Sequence, residues 1–173
     1  MELKFQLASD GEAVRKFYYD IIDALKTMPY RPMWEKGIYP TDEFLQASVD
    51  RGELTVALAG EEIVGAMILN HSADENYGKI CWSVAARPEE VTVIHALGVI
   101  PHLNGQGIGK KPVQEAIRLC REQKQKTIRL DALAGNLPAE KLYPACGFRY
   151  MGTEKMFYED TGWKDFLLYE YVL

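Results

Sequence analysis

Along the chain the pattern of apolar and polar positions begins as an alternation, with Leu3, Phe5 and Leu7 set against Glu2, Lys4 and Gln6. A period of two predicts a half-buried strand over residues 2–8. Ser9, with Glu12 three residues on, has the form of a capping box. Val14, Phe17, Tyr18, Ile21, Ile22 and Leu25 then recur at offsets 3, 4, 7, 8 and 11, the stripe of an amphipathic helix. Residues 28–40 break the pattern with three prolines and the aromatics Tyr30, Trp34 and Tyr39. Thr41, followed by Asp42 and Glu43, starts a second and shorter helix that ends near Asp50.

Two apolar runs, 53–59 and 63–69, meet at Gly60-Glu61-Glu62, a connection short enough to predict an antiparallel hairpin. Residues 71–90 are polar and weakly patterned, which predicts a long surface loop. A strand over 91–100 stops at Pro101. A helix over 108–123 turns Val113, Ala116, Ile117 and Cys120 inward, and a strand follows over 127–133. A short helix over 138–145 precedes two strands, 148–158 and 164–172, joined by a turn at Glu159-Asp160-Thr161-Gly162. This order holds one βαβ unit among hairpins. It predicts an α/β fold of the mixed kind, a mostly antiparallel central sheet flanked by helices. With 173 residues, no internal repeat and no low-complexity linker, residues 1–173 are expected to be a single domain.

Composition narrows the class. At 47% hydrophobic and 26% charged residues the chain is globular in type, and disordered, collagen-like and disulfide-framed classes are excluded. Cys81, Cys120 and Cys146 are odd in number and widely spaced, with no histidine pattern beside them, so neither a metal site nor a disulfide framework is expected. The N-terminus lacks the basic and apolar regions of a secretory signal. No run approaches the length of a membrane span. A reducing, cytoplasmic setting without membrane partners is the expectation. The net charge is −5, a poor match to nucleic acid. Yet the stretch 104–129 carries seven basic residues against Glu115 and Glu122. That basic island is read either as a polyanion site or as a solvated helix face.

The sharpest chemical feature joins the strand before Pro101 to the following helix: Asn104-Gly105-Gln106-Gly107-Ile108-Gly109-Lys110. Alternating glycines leave backbone N–H groups uncovered at a helix N-terminus, an arrangement suited to phosphate or pyrophosphate. A Walker loop would need Ser or Thr after Gly109-Lys110, where Lys111 stands. A dinucleotide fingerprint would need a third glycine at Lys110, although Asp131 does end the next strand as a ribose-binding acid would. The run from Leu97 and Val99 through Gly109 resembles the acyl-CoA-binding motif of the GNAT superfamily of N-acetyltransferases, with Asn104 where the family has Arg or Gln. A second block, Asn136 through Leu142-Tyr143 to Gly147-Phe148, resembles that family's Asn…Leu-Tyr…Gly-Phe segment and follows in the family's order.

The resemblance implies the GNAT acyl-CoA N-acyltransferase fold and an enzyme moving an acetyl group from acetyl-CoA to a primary amine of a small molecule or peptide by direct attack. It implies that backbone groups of Leu97 and Val99 pair with the cofactor arm, and that an N–H near Val99 or Ile100 polarises the thioester carbonyl. Asn104, Gly105, Gln106, Gly107, Ile108, Gly109 and Lys110 would hold the pyrophosphate, and Asn136 the arm. Tyr143 matches the position that protonates the leaving thiolate. For the base, His95 is the candidate, having the side-chain parity of Leu97 and Val99 and an ordinary pKa near 6.5. A water chain or Glu35 is the alternative. Trp34 and Tyr39 are candidate walls for a cationic acceptor, expected across the sheet from the cofactor. No metal is implied, and the family allows a homodimer through the C-terminal strands. Two other functions stay open: a non-catalytic acyl-CoA-binding regulatory module, and a Rossmann-type NAD(P)-dependent oxidoreductase.

Overall fold

A computed structural model describes residues 1–103 and 106–173. Among these residues the chain forms seven strands and four α-helices. They are β1 (Lys4–Leu7), α1 (Gly11–Leu25), α2 (Asp42–Asp50), β2 (Leu54–Ala59), β3 (Glu62–Asn70), β4 (Val91–Val99), α3 (Lys110–Glu122), β5 (Thr127–Leu133), α4 (Leu137–Ala145), β6 (Arg149–Tyr158) and β7 (Gly162–Val172). The sheet order is β1-β2-β3-β4-β5-β7-β6, and β4–β5 is its parallel pair. The mixed, mostly antiparallel sheet flanked by helices is the expected fold.

Two apolar clusters fix the layers. On one face Val14, Phe17, Tyr18 and Ile21 of α1 and Leu45 of α2 pack on Leu54, Val56, Ala66, Ile68 and Ala96. On the other, Val113, Ala116, Ile117 and Cys120 of α3 and Tyr143 of α4 pack on Met67, Ile94, Ile128 and Leu130. The inward stripe read for α3 is the observed one. Pro112 is the third residue of α3; in the first turn its missing N–H breaks no intrahelical bond.

Three local expectations are corrected. The cap of α1 is Asp10, not Ser9: its carboxylate accepts from the N–H of Glu12 at 2.9 Å and of Ala13 at 3.1 Å. β1 is an edge strand, and its Leu7 is 58% exposed rather than turned into the core. Residues 71–90 are not a loose surface loop. Tyr77 is buried with Val91, Val93 and Leu168, and Ile80, Trp82 and Ala86 pack against them. Beneath this segment lies an ion pair between Arg129 Nε and Glu170 Oε2 at 3.0 Å, and Glu170 is 1% exposed. Glu170 also accepts from the N–H of Ser83 at 2.8 Å and the hydroxyl of Thr127 at 3.1 Å. Trp82 stacks on the Arg129 guanidinium. Each end of the buried pair thus has further partners, as charge burial requires.

The functional geometry comes from how β4 leaves the sheet. Its parallel pairing with β5 holds only at Val91↔Thr127, Thr92↔Ile128 and Val93↔Arg129, after which the two strands diverge. On the β3 side the register runs Ile68↔His95 and then Ala66↔Gly98, so β4 carries one extra residue there. Ala96 takes φ 48° in this bulge, a costly conformation for a residue with a Cβ. The hydroxyl of Tyr18, buried in α1, donates to the Ala96 carbonyl at 2.7 Å and holds the bulge in place.

Candidate active site

The divergence of β4 and β5 opens a cavity of about 830 Å³ that passes from the α3–α4 side of the sheet to the α1 side. On the first side its lining includes Leu97, Val99, Gly107, Gly109, Lys110, Asn136 and Tyr143. On the second it includes Ile21, Trp34, Tyr39, Asp131, Tyr158 and Asp160. Chain segments far apart in sequence thus meet at one gap in the sheet.

Leu97 and Val99 present backbone groups to that gap. The Ile100 N–H donates to the Val64 carbonyl at 3.0 Å. In an antiparallel ladder alternate residues bond the same neighbour, so Leu97 and Val99 direct their N–H and C=O to the opposite edge. Beyond Val93 no strand pairs with that edge among the described residues. The bond to Val64 also removes Ile100 from the expected N–H donors, leaving Val99.

The start of α3 carries charge that the fold itself does not call for. Gly109 is its N-cap with no side-chain bond, and the first turn has no acid but two lysines, Lys110 and Lys111. Cations oppose the dipole at a helix N-terminus, so this placement costs stability unless an anion joins it. Gly107 has φ 75°, which a side chain rarely adopts. Gly109 has an ordinary helical φ of −58°, and a Cβ there would meet only Leu142 Cδ1 at 3.9 Å among the described atoms. Packing does not require glycine at 109. Gln106 is exposed and Ile108 is buried. Asn104 and Gly105 lie outside the described residues.

Much of the basic island is spent on structure. Arg118 pairs with Glu115 and Glu122, Lys126 with Glu90, Arg129 with buried Glu170, and Arg121 donates to the Tyr171 hydroxyl. Lys110 is its member that lines the cavity. Asn136 caps α4 by position but makes no capping bond with its side chain, which leaves its amide available at the cavity wall.

Tyr143 is 7% exposed, its ring edge-on to Phe148 at 5.8 Å and tilted against Tyr169 at 5.7 Å. Burial first, then the charge of Asp131, pushes its hydroxyl well above the ordinary tyrosine range. It is protonated throughout the physiological range, as a proton donor must be.

His95 does not share the face of Leu97 and Val99. The extra residue at the bulge inverts the alternation between them. Leu97 packs with the α3 cluster, whereas the His95 ring stands edge-on to Phe44 of the α2 side at 6.2 Å. Its Nε2 is 2.8 Å from the Asn70 Oδ1. Burial lowers its pKa, opposed by the Ser72 backbone and the Glu53 charge. The ring's hydrogen-bonding and packing partners thus lie on the α2 side, which corrects the expected shared parity, while His95 remains among the residues that line the cavity. Trp34 lines the cavity while tilting against Tyr18 at 6.0 Å, and Tyr39 lines it edge-on to Tyr158 at 5.4 Å. Both therefore wall the cavity and pack the segment 28–40 onto the core.

Sequence reasoning named Asp131 only as a possible ribose-binding acid and Asp160 only as a turn residue, and did not place either in the acceptor side of the site. Asp131 Oδ2 accepts from the hydroxyls of Tyr77 at 2.7 Å and Tyr158 at 3.1 Å. Burial raises its carboxyl to about 6, against the pull of those hydroxyls. Asp160, in the β6–β7 turn, is likewise raised to about 6 by burial, with Glu35 adding repulsion. One signal was present: Arg129 and Asp131 are polar positions on one face of a central strand.

The description "Acetyltransferase (GNAT) family" matches residues 18–148 of the chain. Among curated relatives, an uncharacterized N-acetyltransferase of Bacillus subtilis, YvbK, is 25% identical over 119 residues, covering 69% of this chain and 67% of that protein. A putative ribosomal-protein-alanine N-acetyltransferase of the same bacterium is 30% identical over 66 residues, covering 38% of this chain and 44% of that protein. Among solved structures, a GNAT-family acetyltransferase from Streptococcus agalactiae superposes with a TM-score of 0.80 at 15% identity, over 99% of this chain and 95% of that one. NAA60 of Arabidopsis thaliana, in complex with acetyl-CoA, superposes with a TM-score of 0.68 at 22% identity, over 99% of each chain.

Proposed function

The chain belongs to the GNAT acetyltransferase family, and from that premise we propose that it transfers the acetyl group of acetyl-CoA to the primary amine of a small molecule or peptide. The observation that carries this reading is the gap between β4 and β5. It combines an unpaired strand edge at Leu97 and Val99 with an α3 N-terminus that bears lysines in place of acids.

Acetyl-CoA would supply an acetyl group activated as a thioester. The turn from Gln106 to Lys110, with Asn104 and Gly105 before it, would hold the diphosphate through backbone N–H groups and the Lys110 charge. The backbone of Leu97 and Val99 would align the pantetheine arm as a strand is added to a sheet edge, with Asn136 bonding it from α4. The Val99 N–H is the donor assigned to the carbonyl oxygen as charge develops there. An ordinary alkyl amine is mostly protonated at pH 7 and must lose one proton before it attacks. As the N–C bond forms and the C–S bond breaks, Tyr143 gives its proton to sulfur. It regains one from the new amide nitrogen, so the cycle releases one proton to solvent. Trp34 and Tyr39 wall the acceptor side.

Titration calorimetry with coenzyme A tests the cradle. The wild-type chain is expected to bind it. Gly109→Ala is expected to fold normally, since its Cβ would make an ordinary contact with Leu142 Cδ1 at 3.9 Å and its φ is helical, but to bind at least roughly tenfold more weakly because the methyl occupies the ligand's approach. Absence of binding by the folded wild-type chain would refute the reading.

A further inference from the structure

The α1 side of the cavity holds negative charge that acetyl transfer by itself leaves without a purpose. Asp131 has one oxygen fixed by Tyr77 and Tyr158, while its Oδ1 has no hydrogen bond among the described residues. Asp160 Oδ1 has no hydrogen-bond partner either, although the backbone N–H groups of Asp160 and Thr161 act on the carboxylate. Both carboxylates line the cavity, with Trp34, Tyr39 and Tyr158 as its aromatic walls.

No cation among the described residues balances them. Among the described lining residues Lys110 and Lys141 are the lysines, and both belong to the α3–α4 side. Of the basic residues in the neighbouring segment, Lys36 pairs with Asp23, and Arg31 donates to the Lys26 carbonyl. Burying carboxylates without positive partners is costly. Such a cost is retained where a ligand supplies the missing charge.

The two acids stand on different elements, Asp131 on β5 and Asp160 in the β6–β7 turn. The charge of Asp131 acts on Tyr143 and on Tyr39, whereas that of Asp160 acts on Tyr39 and faces Glu35 in the 28–40 segment. Asp131 is therefore the acid nearer the reaction centre, and Asp160 the one nearer the loop. A reacting amine must shed its charge before it attacks. An acceptor with a single amino group would then leave both carboxylates uncompensated at the moment of reaction. An acceptor with a second amino group keeps a positive charge in place, and aromatic walls favour a cation.

We propose, resting on the acetyl-transfer reading above, that the acceptor is an aliphatic diamine or oligoamine. One amino group reacts beside Tyr143 while a second, still protonated, is held by the carboxylates of Asp131 and Asp160. The bonds made and broken are those of the transfer already described; the second ammonium keeps its proton throughout.

The test is thiol release from saturating acetyl-CoA by the whole chain, with three acceptors of equal length: 1,4-diaminobutane, 4-amino-1-butanol and 4-aminobutanoate. They place a positive, a neutral and a negative group at the far end. The diamine is expected to show a kcat/KM roughly tenfold or more above the amino alcohol, and the amino acid the lowest. Asp160→Asn and Asp131→Asn are expected to compress that ordering by raising the KM of the diamine, with the KM of acetyl-CoA unchanged. In Asp131→Asn the new amide would still offer an oxygen to both tyrosines; if that variant nevertheless misfolds, Asp160→Asn and the wild-type ordering decide. An amino alcohol as good as the diamine, or an ordering that survives in both variants, overturns the proposal. Coenzyme A binding without thiol release from any of the three acceptors overturns it as well and leaves the acetyl-transfer reading standing. Loss of coenzyme A binding by the folded wild-type chain overturns both.

Discussion

Tyr143→Phe removes a single oxygen from the wall of the cavity. The ring contacts with Phe148 and Tyr169 do not involve that oxygen. The expected change in folding stability is within about 0.5 kcal/mol, a melting shift of about 2 °C or less for a chain of this size. Catalysis should respond very differently. A positioned proton donor contributes about a hundredfold or more, and a hundredfold is ~2.7 kcal/mol at the barrier. Because the hydroxyl is held above the ordinary tyrosine range, wild-type activity should not decline as pH rises to about 10, where a free tyrosine would ionise. Thiol release at saturating acetyl-CoA and amine, with coenzyme A calorimetry in parallel, measures both effects. The variant should bind coenzyme A as the wild type does and turn over about a hundredfold more slowly. Equal turnover, or a fall in turnover matched by a fall in coenzyme A affinity, would remove Tyr143 from the role of acid.

Two further outcomes follow from the same geometry. The folded pKa of Asp131 is raised to about 6, so its contribution to stability is intact below the unfolded value near 4 and is lost as pH rises to about 6. Asp131→Asn should therefore match the wild type in urea unfolding near pH 4 and be more stable above pH 7, by up to about 3 kcal/mol; an equal difference at both pH values would refute the assignment. His95→Ala should alter stability through lost contact with Asn70 and Phe44 yet leave the shape of the pH–rate profile unchanged. Loss of the acid limb in that variant would assign the role of base to His95.

Much of the protein was legible in its sequence because periodicity is a local property. The apolar stripes of α1 and α3, the cap at Thr41, the hairpin of β2 and β3 and the βαβ unit around the glycine turn are each written within a few consecutive residues. The proposed cofactor half of the site was readable for the same reason: its residues lie on one strand–turn–helix segment and one short helix. The acceptor half was not. Asp131 acquires its meaning from Tyr77, 54 residues away, and from Tyr158 on another strand. The parity of His95 relative to Leu97 is inverted by a bulge held through Tyr18, 78 residues from Ala96. Part of the basic island is taken up in pairs whose acids include Glu90 and Glu170, outside the stretch 104–129. Spacing along a chain specifies which face a residue takes while the strand stays regular. Whether a strand stays regular, and whether a charge finds a partner, depends on distances across the sheet, which are set only when the layers close.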